Sequence, residues 1–184
     1  MSKLYVFNDI HAAQADRVTE DQSEIARILE QKGIGFEQWE TDFEVTADST
    51  SDDILQAYSG SIERLQKEGG YETADVINMT PDHPQKNELR NKFLEEHIHT
   101  EDEVRFFVKG DGLFYLHLDD GVYAIQCCQN DLIRVPANTR HWFDMGGSPN
   151  FTAVRLFTNV DGWVAKFTGE KIANEFPRYE ALTK

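Results

Sequence analysis

Three imidazoles and one carboxylate stand at spacings that can hold a divalent metal: His97, His99 and Glu103 in "EEHIHTEDEVRFFVKGDG", and His141 in "VPANTRHWF". A mixed nitrogen and oxygen set of this kind suits iron, nickel, manganese or zinc. Taken singly, each histidine reads as an ordinary strand residue, and Glu101-Asp102-Glu103 reads as a solvated acidic turn. The joint spacing is what makes the set. Side chains repeat every two residues along a strand, so an extended segment can point His97, His99 and Glu103 the same way. Four protein ligands on an octahedral metal leave two positions for a substrate, and such a vacancy separates a catalytic site from a closed structural one.

The elements that must position this set are legible from turn residues and periodicity. Gly110-Asp111-Gly112, Asp119-Asp120-Gly121, Asn130-Asp131 and Gly146-Gly147-Ser148-Pro149 punctuate short apolar segments, which predicts a run of hairpins. The strands expected between them are Glu103–Val108, Leu113–Leu118, Val122–Cys127, Leu132–Val135, Arg140–Met145 and Phe151–Phe157. Six short strands with glycine-rich turns describe a double-sheet jelly roll. The first ninety residues read differently. Leu4–Phe7, Gly35–Glu40 and Asp75–Met79 look extended, and Thr19 with Gln22 forms a capping-box pattern for a helix that Gly33 ends. A second helix is predicted from Asp52 to Lys67, closed by Gly69-Gly70, and a third from Gln85 to Glu95 carrying Leu89 and Phe93. His117 reads as structural, and His11 and His83 as loop residues. Whether the tail from Gly169 to Lys184 crosses the barrel mouth or frays is left open.

The spacing His97-x-His99-x3-Glu103-x6-Gly110 and the pair Pro136 and His141 resemble the two motifs of the cupin superfamily, with Asn138 where the second motif has glycine. Asparagine tolerates positive φ better than most residues, so that departure is mild. Within the cupins, "KFLEEHIHTEDEVRFFVKGDGLFYL", "VPANTRHWFDMG" and "VRLFTNVDGWVAKFTGE" resemble the acireductone dioxygenase family. The resemblance implies a mainly β fold: a cupin double-stranded β-helix (jelly roll) barrel with a few peripheral α-helices. It also implies one domain over 1–184, with 1–90 packing on the barrel, 91–168 forming its core and metal site, and 169–184 a tail.

The resemblance further implies one Fe(2+) or Ni(2+) per chain and, as substrates, O2 and the acireductone 1,2-dihydroxy-3-oxo-5-(methylthio)pent-1-ene of methionine salvage. With iron the implied products are 4-methylthio-2-oxobutanoate and formate; with nickel, 3-methylthiopropanoate, carbon monoxide and formate. Arg105 takes the role of holding the substrate dianion, because a guanidinium stays charged at any working pH. Phe93, Phe143, Trp163 and Arg155 take positions in the substrate pocket, where aromatic rings can contact a thioether sulfur. Glu96 and Asp102 match auxiliary positions tied to metal incorporation and conformational relay, and both also read as solvated acids. Two alternatives stay open: another metal-dependent cupin enzyme, such as an oxidase or isomerase, and a non-enzymatic metal-binding cupin.

Composition narrows the class. With 184 residues and 40% hydrophobic content the chain suits one core. A formal net charge of −15 would repel nucleic acid and anionic membranes, so neither is an expected partner. Cys127 and Cys128, as strand neighbours on opposite faces, make a poor disulfide pair. The N-terminus lacks the look of a signal peptide, and the expected setting is cytoplasmic and reducing, with the protein a monomer.

Overall fold

The computed structural model describes residues 1–8, 13–40, 45, 46, 49–159 and 164–183. The first part of the chain forms β1 (Lys3–Phe7), β2 (Arg17–Thr19), α1 (Gln22–Glu30), β3 (Gly35–Gln38), α2 (Ser51–Ala57), α3 (Ser59–Gly69), β4 (Thr73–Met79) and α4 (Lys86–Phe93). The second part forms β5 (His97–Ile98), β6 (Glu103–Lys109), β7 (Gly112–Leu118), β8 (Gly121–Cys127), β9 (Asp131–Val135) and β10 (Arg140–Asp144). It ends with β11 (Phe151–Phe157), β12 (Lys166–Phe167), a 3-10 turn at Ile172–Asn174 and α5 (Tyr179–Leu182). Two antiparallel sheets face each other, ordered β12-β5-β10-β7-β8-β1-β2 and β3-β9-β6-β11-β4. This is the mainly β jelly roll that the turns and motifs predict, and β1 to β4 extend both sheets.

The predicted run of hairpins is corrected in its connections. Of the glycine-rich turns, only Asp119-Asp120-Gly121 joins two paired strands, β7 and β8. The turns after β6, β8, β9 and β10 each carry the chain from one sheet to the other. Glycine serves such a corner as well as it serves a hairpin. Gly110 stands at φ 73, and a Cβ there would strike the Asn150 carbonyl.

Each central strand is buried on both faces, so its apolar run shows little period-two alternation. In β6, Phe107 points into the core between the sheets, while Val104, Phe106 and Val108 point outward beneath α2 and α3. In β10, Phe143 points inward and Trp142 outward, stacked on Tyr115 with centroids 5.0 Å apart. The C-terminal segment covers that outer face: Phe176 is buried against Phe7 and Trp142, and Tyr115 Oη donates to the Pro177 carbonyl at 2.6 Å. The tail therefore lies along the back of the larger sheet.

Two helix assignments also change. Asp21 caps α1, its Oδ1 accepting from Glu24 N at 2.8 Å, while Thr19 ends β2 opposite Leu4. The single helix expected over Asp52–Lys67 is two helices broken at Tyr58, whose buried ring packs on Phe106 at 4.7 Å. Thr50 and Asp53 supply the capping box for α2, and Gly70 at φ 69 closes α3 as predicted. No helix of the described residues is long and apolar enough to cross a membrane. Cys127 and Cys128 are free thiols.

Candidate metal centre

His97 and His141 are brought together by direct strand pairing, His97 on β5 standing opposite His141 on β10. Phe167 of β12 closes the other side of His97. Beyond Ile98 the chain leaves the larger sheet, passes through His99 and enters the smaller sheet at Glu103, opposite Val135. The expectation of one extended segment carrying all three ligands is thus replaced by a crossing between sheets. The turn between β9 and β10 pins that crossing. Asn138, at φ 62, donates its N–H to the His99 carbonyl at 2.8 Å, and Ala137 N donates to Asp102 Oδ1 at 2.9 Å. Asparagine therefore does supply the left-handed conformation at the motif's glycine position.

All four residues are buried, none more than 7% exposed. One nitrogen from each of His97, His99 and His141 lies within 4.8 Å of the others. Glu103 Oε2 sits 3.1 Å from His141 Nε2 and 3.4 Å from His99 Nε2. The opposite ring nitrogens face carbonyl oxygens: His97 Nδ1 that of Glu95 at 2.7 Å, His141 Nδ1 that of Thr139 at 2.8 Å, His99 Nδ1 that of Val164 at 3.2 Å. A carbonyl can only accept, so each Nδ1 carries a proton, and a ring with that single proton presents its Nε2 lone pair to the cluster. Lone pairs and a carboxylate then converge with no donor between them, an arrangement that fits a cation and orients its ligands.

Burial, with His141 beside it, pushes the His97 imidazole down to about 4. Burial pushes the other way on Glu103, but the Arg105 charge, with the polar rings of His141 and His99 beside it, outweighs it and holds the carboxyl well below its usual range. The protonation states are those that metal ligation needs. A pH dependence follows for the metal-free protein. An unfolded imidazole takes up its proton near 6.5, the buried one only near 4, so stability is complete above 6.5 and declines as pH falls toward 4. The loss reaches about 3 kcal/mol. Melting curves of metal-free protein between pH 7 and 4.5 should show this slope, and His97→Gln should flatten it; identical slopes would refute the assignment.

Arg105 lies beside the set. Its Nη2 donates to Glu103 Oε1 at 2.6 Å, its guanidinium rests 5.0 Å from the Phe114 ring and 4.9 Å from that of Phe143, and its Nε has no protein partner. These groups line a cavity of about 350 Å³ together with Ile77, Leu89 and Phe93. Arg155 also lines it, and it pairs with Asp75 through two hydrogen bonds of 2.9 and 2.6 Å. Gly112 leaves room for Phe143, since a Cβ there would fall on that ring. Gly112→Ala should therefore push Phe143 into the cavity, at about 1–3 kcal/mol of overpacking. Thermal melts should show a midpoint lower by roughly 3–10 °C.

The remaining candidates separate. Glu96 is buried, not solvated: it accepts from His117 Nδ1 at 2.5 Å and from Thr168 Oγ1 at 2.8 Å. His117 thus has a structural partner. Asp102 caps Ala137 and accepts from Tyr71 Oη at 3.4 Å. His83 occupies the turn before α4. Trp163 and His11 lie outside the described residues. Sequence reasoning missed Ile77 and Phe114 as cavity residues; for Phe114 the available signal was its place opposite Phe143 on neighbouring strands.

Comparison with known proteins agrees with this geometry. A model described as the ARD/ARD' family matches residues 3–165. The acireductone dioxygenase of Hahella chejuensis is 57% identical over 99% of this chain and 98% of its own length. That of Marinobacter nauticus is 53% identical over the same shares. Among solved structures, acireductone dioxygenase from Bacillus anthracis, with a cadmium ion in its active center, superimposes with a TM-score of 0.79 at 29% identity, covering 91% of this chain and 98% of that one. A metal-fitting histidine cluster, a jelly-roll frame and near full-length identity to named relatives converge: the chain belongs to the acireductone dioxygenase family of the cupin superfamily.

Proposed function

We propose that this protein is the acireductone dioxygenase of methionine salvage, acting on 1,2-dihydroxy-3-oxo-5-(methylthio)pent-1-ene and O2 as a cytoplasmic monomer with one Fe(2+) or Ni(2+) per chain. The observation that carries the reading is the cavity itself, where ligating groups and a buried guanidinium share the lining with an apolar wall that includes Ile77, Leu89, Phe93 and Phe143. A sugar would find few polar partners along that wall, which favours an enediol with a thioether tail over an isomerase substrate.

His97, His99, Glu103 and His141 are assigned as the metal ligands. A bound divalent ion supplies there the Lewis acidity that stabilises a deprotonated enediol. Arg105 supplies a second, fixed positive charge: one edge of its guanidinium is engaged by Glu103, and its partnerless Nε favours an enediolate oxygen. Holding that oxygen as an anion lowers its proton affinity and favours the dianion that reacts with O2. Phe93 and Phe143 confine the methylthio tail, with Trp163 assigned to the same wall. Arg155 adds positive field, tempered by Asp75. Glu96 and Asp102 are auxiliary, bracing the strand of His97 and the crossing that follows it.

With iron the products are 4-methylthio-2-oxobutanoate and formate; with nickel they are 3-methylthiopropanoate, carbon monoxide and formate. Metal-free protein reconstituted anaerobically with either ion, then given acireductone and O2, tests this by product analysis. The oxo acid with iron and carbon monoxide with nickel are expected. Stoichiometric metal without turnover in both cases would overturn the reading and favour another cupin chemistry or a binding role.

A further inference from the structure

Part of the apolar wall of the cavity is carried by α4, which has little to hold it in place. The helix spans eight residues, buries none of them fully and has no side-chain cap at its N-terminus. An isolated helix of this length is not stable in water. Of its three cavity residues, Lys92 is exposed and the two apolar ones, Leu89 and Phe93, are only partly buried.

What ties it down is Arg90, which stands between Leu89 and Phe93 in sequence. Arg90 Nε donates to Asp144 Oδ1 at 2.8 Å and Nη2 to Asp144 Oδ2 at 3.1 Å, a two-pronged contact with a carboxylate fully shielded from solvent. Asp144 ends β10, one residue beyond Phe143. The same Nη2 donates to Glu180 Oε2 at 2.8 Å on α5. Asp144 Oδ2 also accepts from Tyr179 N at 2.9 Å, Glu180 Oε1 accepts from Gly147 N at 2.8 Å, and Tyr179 Oη donates to Asp111. One guanidinium thus joins the cavity helix, the strand carrying His141 and Phe143, and the C-terminal segment. A planar fork bonded to two carboxylates is a geometry an ammonium does not reproduce.

We propose that Arg90 is a positioning residue through which the C-terminal segment sets the apolar wall, and hence which substrate tails the cavity accepts. The selectivity half rests on the reading of the cavity given above; the mechanical half does not. Phe93 meets Phe143 edge to face with centroids 6.4 Å apart, and the Arg90–Asp144 pair is the polar link between their two elements. Loosening it lets Phe93 withdraw while leaving the ligands, which sit on β5, β6, β10 and the crossing between β5 and β6, in place.

Arg90→Gln strips the charge partner from the buried Asp144 and risks the fold, so Glu180→Gln, at the exposed end of the link, is made beside it. Both are studied as metal-loaded full-length protein. Hydrogen exchange at amides 86–93 should quicken in Glu180→Gln and more so in Arg90→Gln, with metal content unchanged. KM for the methylthio substrate should rise with kcat nearly constant, and the preference over an analogue whose tail is shorter by one methylene should shrink by up to about tenfold. Unchanged exchange in both variants overturns the proposal, as does quickened exchange with undiminished tail preference. Should the unmodified protein turn over no acireductone, the cavity reading fails, and exchange at α4 still decides the mechanical half.

Discussion

His99→Ala is expected to yield a folded protein that no longer retains metal. His99 offers its Nε2 3.4 Å from Glu103 Oε2 and is steadied by the Val164 and Asn138 backbone contacts, so alanine removes a donor already aimed and desolvated. Loss of a group that merely supports a ligand lowers affinity by about 10–100-fold, and loss of the ligand itself should exceed that. After gel filtration, elemental analysis should find the variant empty, with kcat/KM at least about a thousandfold lower, equivalent to roughly 4 kcal/mol. Removing one of three clustered imidazoles relieves crowding in the metal-free state, so melting should change little. Full metal content in this variant would sink the ligand assignment.

The second large effect is expected at Arg105, with the opposite signature. Arg105→Ala should keep its metal and lose turnover. Two consequences for binding oppose each other: removing a nearby positive charge favours a dication, while Glu103 loses the 2.6 Å hydrogen bond that orients it. They roughly cancel. Nothing cancels the loss of the charge that holds the substrate oxygen, and removal of such a preorganised donor lowers kcat by about 10²–10³. Metal stoichiometry and kcat/KM measured on one preparation separate these effects. Arg105→Lys should recover only part of the loss, since an ammonium cannot hold Glu103 and a substrate oxygen as a planar fork does. Full activity in the alanine variant would exclude the dianion role.

Much of the cluster could be read from the sequence because the motif's intervals single out the side chains that meet there. Glu103 faces the histidines, whereas Glu101 bonds Thr158 and Asp102 caps Ala137. The route by which the ligands meet could not be read that way. Strand parity pointed to residues that the structure does bring together, but by another route, since the chain crosses between sheets after His99 and parity is lost at a corner. The cavity wall was partly hidden because Ile77, Leu89 and Phe114 come from three elements distant in sequence, and strands buried on both faces leave little alternation to follow. The break at Tyr58 was hidden too, because helical periodicity continues across it and its ring packs on Phe106, a residue distant in sequence. The partners of Arg90 lie 54 and 90 residues away, beyond any local pattern.

Alternate residues of β10 serve two masters: His141 and Phe143 face the cavity, while Trp142 stands in the outer core that the C-terminal segment covers. A change on this strand is felt on both sides at once, so drift there is confined by stability as well as by chemistry. On α4 the constraint is far lighter, since none of its residues is fully buried. Divergence toward enediols with other tails would therefore be recruited first from Leu89 and Phe93, with the ligand-bearing strands as a fixed inheritance. A laboratory search for new substrates has the same asymmetry to exploit, with variation concentrated on the helix and withheld from the strand.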